Sequence, residues 1–296
     1  MTIAETTPGA FPAAVQKTSV SSRSSGRLFL LPVMLLLFVV FLFPLIYFFV
    51  STFASIGSVS KIAGKLWETL ASGVFTESLV FTVIIAAAVT VACLIIAYPI
   101  AYCLLVANRV LFSVLMACVV LPYFVSTIVR TYAWMVLLGR TGVVNDLLQR
   151  SGFTSAPLQL MYNAPSIVIG MVYVLLPYMV LTLYASMKGI DKSLLRAAES
   201  MGASGFYTLR RVFFPLTLPG VISGSLIVLI LSLGFFITPA LMGGPHNVTV
   251  AMLVENEIET NLNWPLAAII SLLLLTFTLA LFAAYCKYAR LEKMFN

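Results

Sequence analysis

The chain carries very little charge. Only 9% of its 296 residues are Asp, Glu, Lys or Arg, whereas 61% are hydrophobic. The mean hydropathy is +1.07. A soluble domain of this size needs more charged side chains to solvate its surface, so the composition excludes an ordinary soluble protein. It indicates instead a polytopic membrane protein.

The chain also lacks the residues and motifs of most catalytic and metal sites. It has one histidine, and it contains no G-x-x-x-x-G-K-[ST] phosphate loop, G-x-S-x-G elbow or H-E-x-x-H pair. Its cysteines lie in or beside apolar runs without metal-type spacing, as packing residues do: Cys93, Cys103, Cys118 and Cys286. We therefore predict no metal site, no disulfide framework and no enzymatic activity. The same absences disfavour an integral-membrane enzyme.

Six apolar runs are long enough to cross a membrane, since about 20 residues span about 30 Å of hydrocarbon. They are residues 28–50, 78–106, 110–138, 165–186, 216–241 and 264–286. The third run contains Leu121-Pro122 and Arg130, and we predict it as one span because membrane helices tolerate proline. The runs are continuous rather than alternating, which favours helices over strands. The predicted fold is an all-α membrane protein with six transmembrane helices.

Residues 1–27 are rich in Ser, Ala and Thr and precede the first apolar run. That run is too long for the apolar part of a signal peptide, and no clear A-x-A cleavage site follows it. We predict an uncleaved, disordered N-terminal tail over 1–27, a transmembrane domain over 28–286 and a C-terminal tail over 287–296.

The basic residues lie in short segments between the runs, so the net charge of +7 indicates membrane orientation rather than a nucleic-acid partner. With the N-terminus inside, one basic residue, Arg130, lies in a span and four lie outside: Lys61, Lys65, Arg140 and Arg150. The other twelve lie inside: Lys17, Arg23, Arg27, Arg109, Lys188, Lys192, Arg196, Arg210, Arg211, Lys287, Arg290 and Lys293. The positive-inside rule therefore predicts that both termini and residues 187–215 are cytoplasmic.

The segment 187–215 has the pattern of a helix–turn–helix. Asp191 is placed to cap a first helix, and Gly202 stands where a helix C-cap requires a left-handed residue. Ser204 is placed to cap a second short helix that stops before Pro215. Small or apolar residues share one face of the first helix: Leu194, Ala197, Ala198 and Met201. The pattern predicts either a surface that a partner contacts closely or an amphipathic connector lying on anionic headgroups.

The spacing within this segment resembles a motif of ATP-binding-cassette importer permeases. Their cytoplasmic loop reads Glu-Ala-Ala, three residues, Gly, nine residues, and then Ile-x-Leu-Pro. This chain has Arg196-Ala197-Ala198, three residues, Gly202, nine residues, and then Val212-Phe213-Phe214-Pro215. Arg196 stands in place of the Glu, and Glu199 lies one turn later, within reach for an i,i+3 pair. The resemblance implies an ATPase-coupling loop built on Arg196, Ala197, Ala198, Glu199, Gly202, Val212, Phe214 and Pro215.

Three further stretches resemble the polyamine-type branch of these permeases. They are STIVRTYAWMVLLGRTGVVNDLL at 126–148, YVLLPYMVLTLYASMKGID at 173–191 and ITPALMGGP at 237–245. The resemblance extends from about residue 28 onward. It implies a type I importer permease fold similar to that of the methionine importer, with five core helices and an extra N-terminal one. It also implies the bacterial plasma (inner) membrane.

The same resemblance implies partners and a function. The partners are two copies of an ATP-binding subunit, a second permease subunit that is homologous or identical, a periplasmic or lipid-anchored solute-binding protein, and membrane lipids. ATP and Mg²⁺ would bind to the ATPase, with no cofactor in this chain. The implied function is passage of a small polar solute, a polyamine or a related amine or amino-acid-like compound. The alternative is a stand-alone secondary carrier, which would need ion-coupling carboxylates, and the six predicted runs contain no Asp or Glu.

Arg130 is the only charged residue inside a predicted run. An arginine at the bilayer centre costs about 2.5–3.5 kcal/mol on insertion scales, so it should face the bundle interior or water. Two roles remain open for it. It lies beside the solute pathway, with Tyr123, Tyr132 and Trp134 nearby in sequence, or it bonds helix carbonyls or a neighbouring subunit in a structural role.

Two further features are candidates for handling the solute. Gly234 and Pro239 are placed to break the fifth run, and broken helices often line transport sites. The alternative is a simple proline kink near a helix end. Glu255, Glu257 and Glu259 lie in a predicted outer loop, where they would contact the binding protein. A buried arginine would repel a polycation, whereas the three glutamates would attract one, so these residues leave the identity of the solute open.

Overall fold

The computed structural model describes residues 32–57 and 59–295. The chain divides into two compact units, Met1–Ser51 and Thr52–Asn296. The described residues form helices joined by turns and contain no strand, which confirms the all-α prediction. The predicted tail at 1–27 lies outside the described residues.

The first span is helix α1, Pro32–Ala54. It contains a π turn at Phe38–Leu42, in which the Phe43 N–H donates to the Phe38 carbonyl. Pro44 is the second residue after this turn. A proline ring clashes with a carbonyl of the preceding regular turn, and the wider π turn makes room for it.

Three long helices form the centre of the second unit: α3 (Gly73–Val106), α7 (Ala164–Lys188) and α9 (Gly205–Leu233). Each of them packs against the other two. The core follows one stripe of α3 and one of α7, with residues at helical spacing: Ile85, Val89, Cys93, Ala97, Ala101, Leu104, Ile167, Met171, Leu175, Met179, Leu183 and Met187. This spacing turns one face of each helix toward the other.

The prediction that all four cysteines are packing residues is wrong for three of them. Cys93 is buried in the core, whereas Cys103, Cys118 and Cys286 are exposed on the surface of the chain. In a membrane a thiol on the lipid-facing surface meets an apolar environment just as a core thiol does. An apolar run therefore does not distinguish the two positions.

Helices α7 and α9 approach each other closely at two glycines. A Cβ atom at Gly220 would collide with the Cβ and Oγ of Ser186. One turn later, a Cβ atom at Gly224 would lie 2.8 Å from the Sδ of Met179. Small residues four positions apart let membrane helices associate through van der Waals contact, which matters because lipid tails are as apolar as the side chains.

Helices α2 (Val59–Ala71), α11 (Val250–Glu259) and α12 (Trp264–Phe295) flank this centre. Helix α12 packs against α2, α9 and α11. Helix α11 starts beside α3, where the Val250 N–H donates to Thr82 Oγ1 at 2.9 Å. The helical backbone of α12 continues beyond residue 286, where the sixth span was predicted to end.

The third run, predicted as one span over 110–138, is not one continuous helix. Helix α4 (Arg109–Val120) leads into a 3₁₀ turn at Leu121–Phe124, and α5 (Thr127–Leu138) begins after the extended residue Val125. The chain bends by 104° between the two halves. Pro122 cannot donate the backbone hydrogen bond that would continue α4. The described chain thus has five continuous spans and one bent helix pair as the candidate for a sixth.

A short amphipathic helix, α6 (Val143–Arg150), follows the bent pair. The buried Asn145 holds it to the next loop, because its Nδ2 donates to the Gly139 and Leu158 carbonyls at 3.0 Å each. The Leu158 N–H returns a hydrogen bond to Asn145 Oδ1 at 2.8 Å. A single side chain therefore joins the turn before α6 to the loop after it.

The boundaries predicted for the fifth span, 216–241, are wrong at both ends. Helix α9 begins at Gly205 and passes through Pro215 without stopping, because a π turn at Leu209–Phe213 makes room for the proline ring as in α1. It ends at Leu233, and residues 237–242 form a separate helix, α10 (Ile237–Met242). The predicted second short helix before Pro215 is therefore continuous with the helix of the fifth candidate span.

The second span also begins earlier than residue 78. Helix α3 starts at Gly73, where the Ser72 side chain accepts a hydrogen bond from the Phe75 N–H. The helix, which is longer than the predicted run 78–106, therefore includes Glu77, which is exposed near its first turn.

Candidate functional site

Residues 191–213, here called the helical hairpin, comprise α8 (Lys192–Ser200), a turn and the first part of α9. Asp191 caps α8, with its Oδ1 accepting a hydrogen bond from the Ser193 N–H at 2.8 Å. Hydrogen bonds from the Ser193 side chain and backbone, and the positive charge of Arg196, hold the pKa of the Asp191 carboxyl below its usual range. Ser204 caps α9 in the same way, by accepting from the Tyr207 N–H.

The turn of the hairpin is closed by Gly202, which has the predicted left-handed conformation at φ +83°. Its N–H donates to the Glu199 carbonyl at 2.9 Å, and the Ala203 N–H donates to the Ala198 carbonyl at 3.1 Å. These two bonds form a Schellman motif, which satisfies carbonyls at the end of α8. The turn is therefore a defined structure that orients the two helices of the hairpin.

The outer side of the hairpin is apolar and exposed. Leu194, Ala197 and Met201 lie on one face of α8, and Met201 is 82% exposed. Phe206 and Tyr207 are exposed just after the turn, Phe206 by 73%. We call these five residues the apolar tip.

Ala198 does not belong to the apolar tip, because it is 5% exposed and faces the protein. The prediction that Ala197 and Ala198 share the exposed face is therefore wrong for Ala198. An i,i+3 pair of Arg196 with Glu199 is also absent, since the ion pair found among the described residues joins Arg150 and Asp146. Such a pair contributes only about 0.2–0.5 kcal/mol on an exposed helix, too little to hold two long side chains together.

The end of the hairpin passes into the transmembrane bundle without a break. Phe213 is buried, and its ring meets the Tyr102 ring of α3 edge-on at 5.7 Å between centroids. The Phe214 ring lies 5.8 Å from that of Tyr98. Val212 is half-buried and Pro215 is exposed. A force applied to the hairpin would therefore act directly on α9 and, through these rings, on α3.

Arg130 lies one turn into α5, just after the bend, and is 8% exposed. Its Nη2 donates to Thr127 Oγ1 at 3.1 Å. Its Nε and Nη1 are buried and have no hydrogen-bond partner. A buried guanidinium with free N–H groups is energetically costly, so this conformation holds an unsatisfied charge next to the bend.

A pair of tyrosines lies near this arginine. Tyr178 Oη donates to Tyr123 Oη at 3.2 Å, and the two rings meet edge-on at 5.6 Å between centroids. Tyr178 lies on α7, which packs against α5, the helix that carries Arg130. Sequence reasoning missed Tyr178, although a polar ring directly after Pro177 in an apolar run is a usable signal.

The structure also brings the two candidate pathway segments together. Thr131 on α5 and Thr238 on α10 are both buried, and their hydroxyls lie 3.1 Å apart. Helix α9 ends at Leu233 with Gly234 as its C-cap, and the buried Pro239 lies within α10. The break predicted in this run is thus beside the helix that carries Arg130.

The two other predicted pathway residues, Trp134 and Tyr132, lie on different sides of α5. The ring of Trp134 contacts that of Tyr173 on α7 at 5.7 Å, one turn of α5 beyond Arg130. Tyr132 is 52% exposed and, two residues from Arg130, points away from it. Tyr123 and Trp134 thus each contact a tyrosine of α7, whereas Tyr132 is exposed on another side of α5.

The three glutamates lie on a helix, so the predicted outer loop is corrected to α11. Glu255 and Glu259 share one face, and Glu259 is exposed. Glu257 lies on the other side, where it accepts a hydrogen bond from Asn261 Nδ2 at 2.9 Å and lines a cavity with Lys65. The three carboxylates thus do not form one surface.

Comparison with known proteins identifies relatives over most of the chain. The family model described as "Binding-protein-dependent transport system inner membrane component" matches residues 94–290. The spermidine/putrescine transport system permease protein PotB of Haemophilus influenzae is 35% identical over 208 residues, covering 70% of this chain and 71% of the relative. PotB of Escherichia coli is 32% identical over 230 residues, covering 78% and 82%.

Solved structures show the same fold. A bacterial ABC transporter involved in the import of the acidic polysaccharide alginate matches with a TM-score of 0.68 at 15% identity, over 90% of this chain and 95% of that chain. The MetNI methionine ABC transporter in an inward-facing conformation matches with a TM-score of 0.55 at 17% identity, over 74% and 98%. At these identities the likeness shows fold alone, and it confirms the predicted type I importer permease fold.

Proposed function

Because the chain belongs to the family of inner membrane components of binding-protein-dependent transport systems, we propose that its helical hairpin is the surface on which a separate ATPase acts. The chain is a multi-pass permease subunit of an ABC importer, not a stand-alone secondary carrier. It supplies half of the solute pathway, and ATP hydrolysis takes place on the partner ATPase, with ATP and Mg²⁺ bound there.

The observation that carries this proposal is the exposed apolar tip. Five exposed apolar or small residues on a rigid turn form a surface that a partner protein can cover. The hairpin continues as one helix into α9, so a partner that moves it can move a membrane span as a rigid body. Arg196 and Glu199 lie on a different side of α8 and are not needed for this contact.

The proposed assembly contains two ATPase subunits and two permease subunits, which are homologous or identical. Members of this family work with a solute-binding protein and ATPase subunits. Glu255 and Glu259, which share one face of α11, support a contact with the binding protein, whereas Glu257 is engaged inside the chain. The excess of basic residues around 187–215 supports a cytoplasmic position for the hairpin and for both termini.

We propose that the pathway runs beside the bend between α4 and α5 and the break after Gly234. Arg130 is buried and its charge disfavours the close approach of a cation, so an amine would have to pass along exposed aromatic rings instead. Tyr123 exposes an aromatic ring at the bend, and such a ring attracts ammonium groups through cation–π interactions. This arrangement supports a polyamine or related amine as the solute, in line with the PotB relatives.

Uptake into proteoliposomes that hold the complete transporter tests the proposal. Radiolabelled spermidine or putrescine should accumulate when the binding protein is outside and ATP is inside, and not with a non-hydrolysable ATP analogue. Accumulation driven by an ion gradient without ATP would contradict an ATPase-coupled permease. ATP-driven accumulation of another solute alone would refute only the proposed polyamine.

A further inference from the structure

The side of the hairpin opposite the apolar tip faces a cavity of about 690 Å³. The cavity lies between α8, the start of α9 and the ends of α3 and α7. Lys192, Leu195, Arg196 and Glu199 line it at the i, i+3, i+4 and i+7 positions of α8. The polar face of α8 is therefore turned toward the ends of the membrane spans and is separate from the apolar tip.

The charges around this cavity are unbalanced, even when the Asp191 carboxylate that interacts with Arg196 is counted. Lys188, Lys192 and Arg196 contribute three positive charges, and Glu199 contributes one negative charge. None of these four side chains forms an ion pair within the described part of the chain. Lys188 lies over the ring of Tyr184 at 5.7 Å, which leaves its charge uncompensated. An occupant of the cavity should therefore be an anion.

An apolar stripe leads away from the cavity along α3. Two of its residues, Tyr102 and Val106, line the cavity itself. All of its members are exposed and recur every four or seven residues on one face of the helix: Val80, Ile84, Val91, Ile95, Tyr102 and Val106. An occupant that covers this stripe needs a long apolar part in addition to its negative charge.

We propose that the cavity binds the headgroup of an anionic phospholipid, with an acyl chain lying along the stripe on α3. Basic pockets between membrane helices on the cytoplasmic side bind anionic lipid headgroups, and each nearby Lys or Arg strengthens the attraction. A soluble phosphate would neutralise the cations but leave the stripe uncovered. The lipid then rests against α8 from the membrane side while the apolar tip stays free for the ATPase.

Lipid binding to the purified full-length chain tests this site without any ATPase. Native mass spectrometry would compare retention of phosphatidylglycerol and phosphatidylcholine with matched acyl chains. Wild type should retain phosphatidylglycerol preferentially. Lys192→Gln with Arg196→Gln should lower that retention about 25-fold, because each lost charge weakens binding about 5-fold. Arg210→Gln with Arg211→Gln removes the same charge from residues that do not line the cavity and should leave retention unchanged.

A variant that is expected to raise lipid retention distinguishes loss of the binding site from general damage to the protein. Glu199→Gln removes the one negative charge and should raise phosphatidylglycerol retention about 5-fold. Equal retention of the two lipids by wild type, or equal losses in the two double variants, would overturn the proposal. Displacement of the lipid by soluble glycerol phosphate at equal concentration would point to a free phosphate site instead.

The proposal rests on the proposed function only for the cytoplasmic position of the hairpin, so failed lipid binding leaves the ATPase contact untouched. If both double variants bind lipid normally but Lys192→Gln with Arg196→Gln loses the ATPase, an acidic segment of that partner occupies the cavity and the lipid proposal is wrong.

Discussion

At the scale of single residues, Gly202 and Gly205 show how backbone conformation separates two similar glycines. A Cβ atom at either position would meet nothing within 4 Å. Only Gly202 has a positive φ, at +83°, which costs a residue with a side chain about 1–2 kcal/mol. The requirement at Gly202 is therefore conformational and not a matter of space.

We expect Gly202→Val to disrupt the turn, because a β-branched residue strains the left-handed conformation. The rate of protease cleavage within 199–206 of the purified chain should rise, and solute uptake should fall. Gly205→Val is the matched control, and its cleavage and uptake should stay closer to wild type. The same behaviour in both variants would show that the left-handed turn is not needed.

The buried position of Arg130 predicts an effect of its substitution on solute uptake. We expect Arg130→Gln to alter uptake while the amount of assembled complex and its basal ATP hydrolysis stay near wild type. Thr127→Val removes the hydrogen-bond partner of Arg130 and keeps its charge, at a cost of about 1.5–3 kcal/mol, and should keep more of the uptake. Loss of the assembled Arg130→Gln complex from the membrane would instead show a structural role.

At the scale of helices, hydropathy was enough to locate the spans, and Gly234 and Pro239 predicted the break in the fifth run, but the bend in the third run was not predicted. Pro99, Pro177 and Pro219 lie inside continuous helices, whereas the helix bends after Pro122. These prolines are chemically identical, and the difference arises from how neighbouring helices hold the chain around each one. That packing is non-local, so the sequence did not predict the bend.

The hairpin was easier to predict because its signals are local. Asp191, Gly202 and Ser204 each act on backbone groups within a few residues, and their spacing predicted the caps and the turn. The orientation of Ala198 and the tyrosine partner of Tyr123 depend on helices distant in sequence. Local chemistry thus predicted the caps, and tertiary packing decided which side chains meet.

The close contact of α7 with α9 gives a prediction for these elements. Gly220→Ala should destabilise the bundle by about 1–3 kcal/mol, because its Cβ would collide with Ser186. Gly234→Ala adds the same atom where nothing lies within 4 Å and should be better tolerated. Combining Ser186→Gly with Gly220→Ala should restore the thermal stability of the purified protein. Failure of this pair to recover would contradict the assigned contact.

At the scale of the whole molecule, the distribution of basic residues predicts the orientation. In a chain whose four cysteines are replaced by alanine, an impermeant maleimide should label Thr260→Cys in intact cells. Ser204→Cys should be labelled only after permeabilisation, because the hairpin is predicted to be cytoplasmic. Labelling of Ser204→Cys in intact cells would overturn the orientation.

The central claim is that the apolar tip binds the ATPase, and co-purification of the ATPase with an Ala197→Glu variant tests it most directly. A charge at the centre of such a contact should weaken binding by about 2 kcal/mol or more, roughly 30-fold. Ser200→Glu is the matched control, since Ser200 is exposed on α8 but belongs neither to the apolar tip nor to the cavity lining. We predict that Ala197→Glu reaches the membrane in normal amount without its ATPase, whereas Ser200→Glu retains it. Normal ATPase recovery with Ala197→Glu would contradict the account.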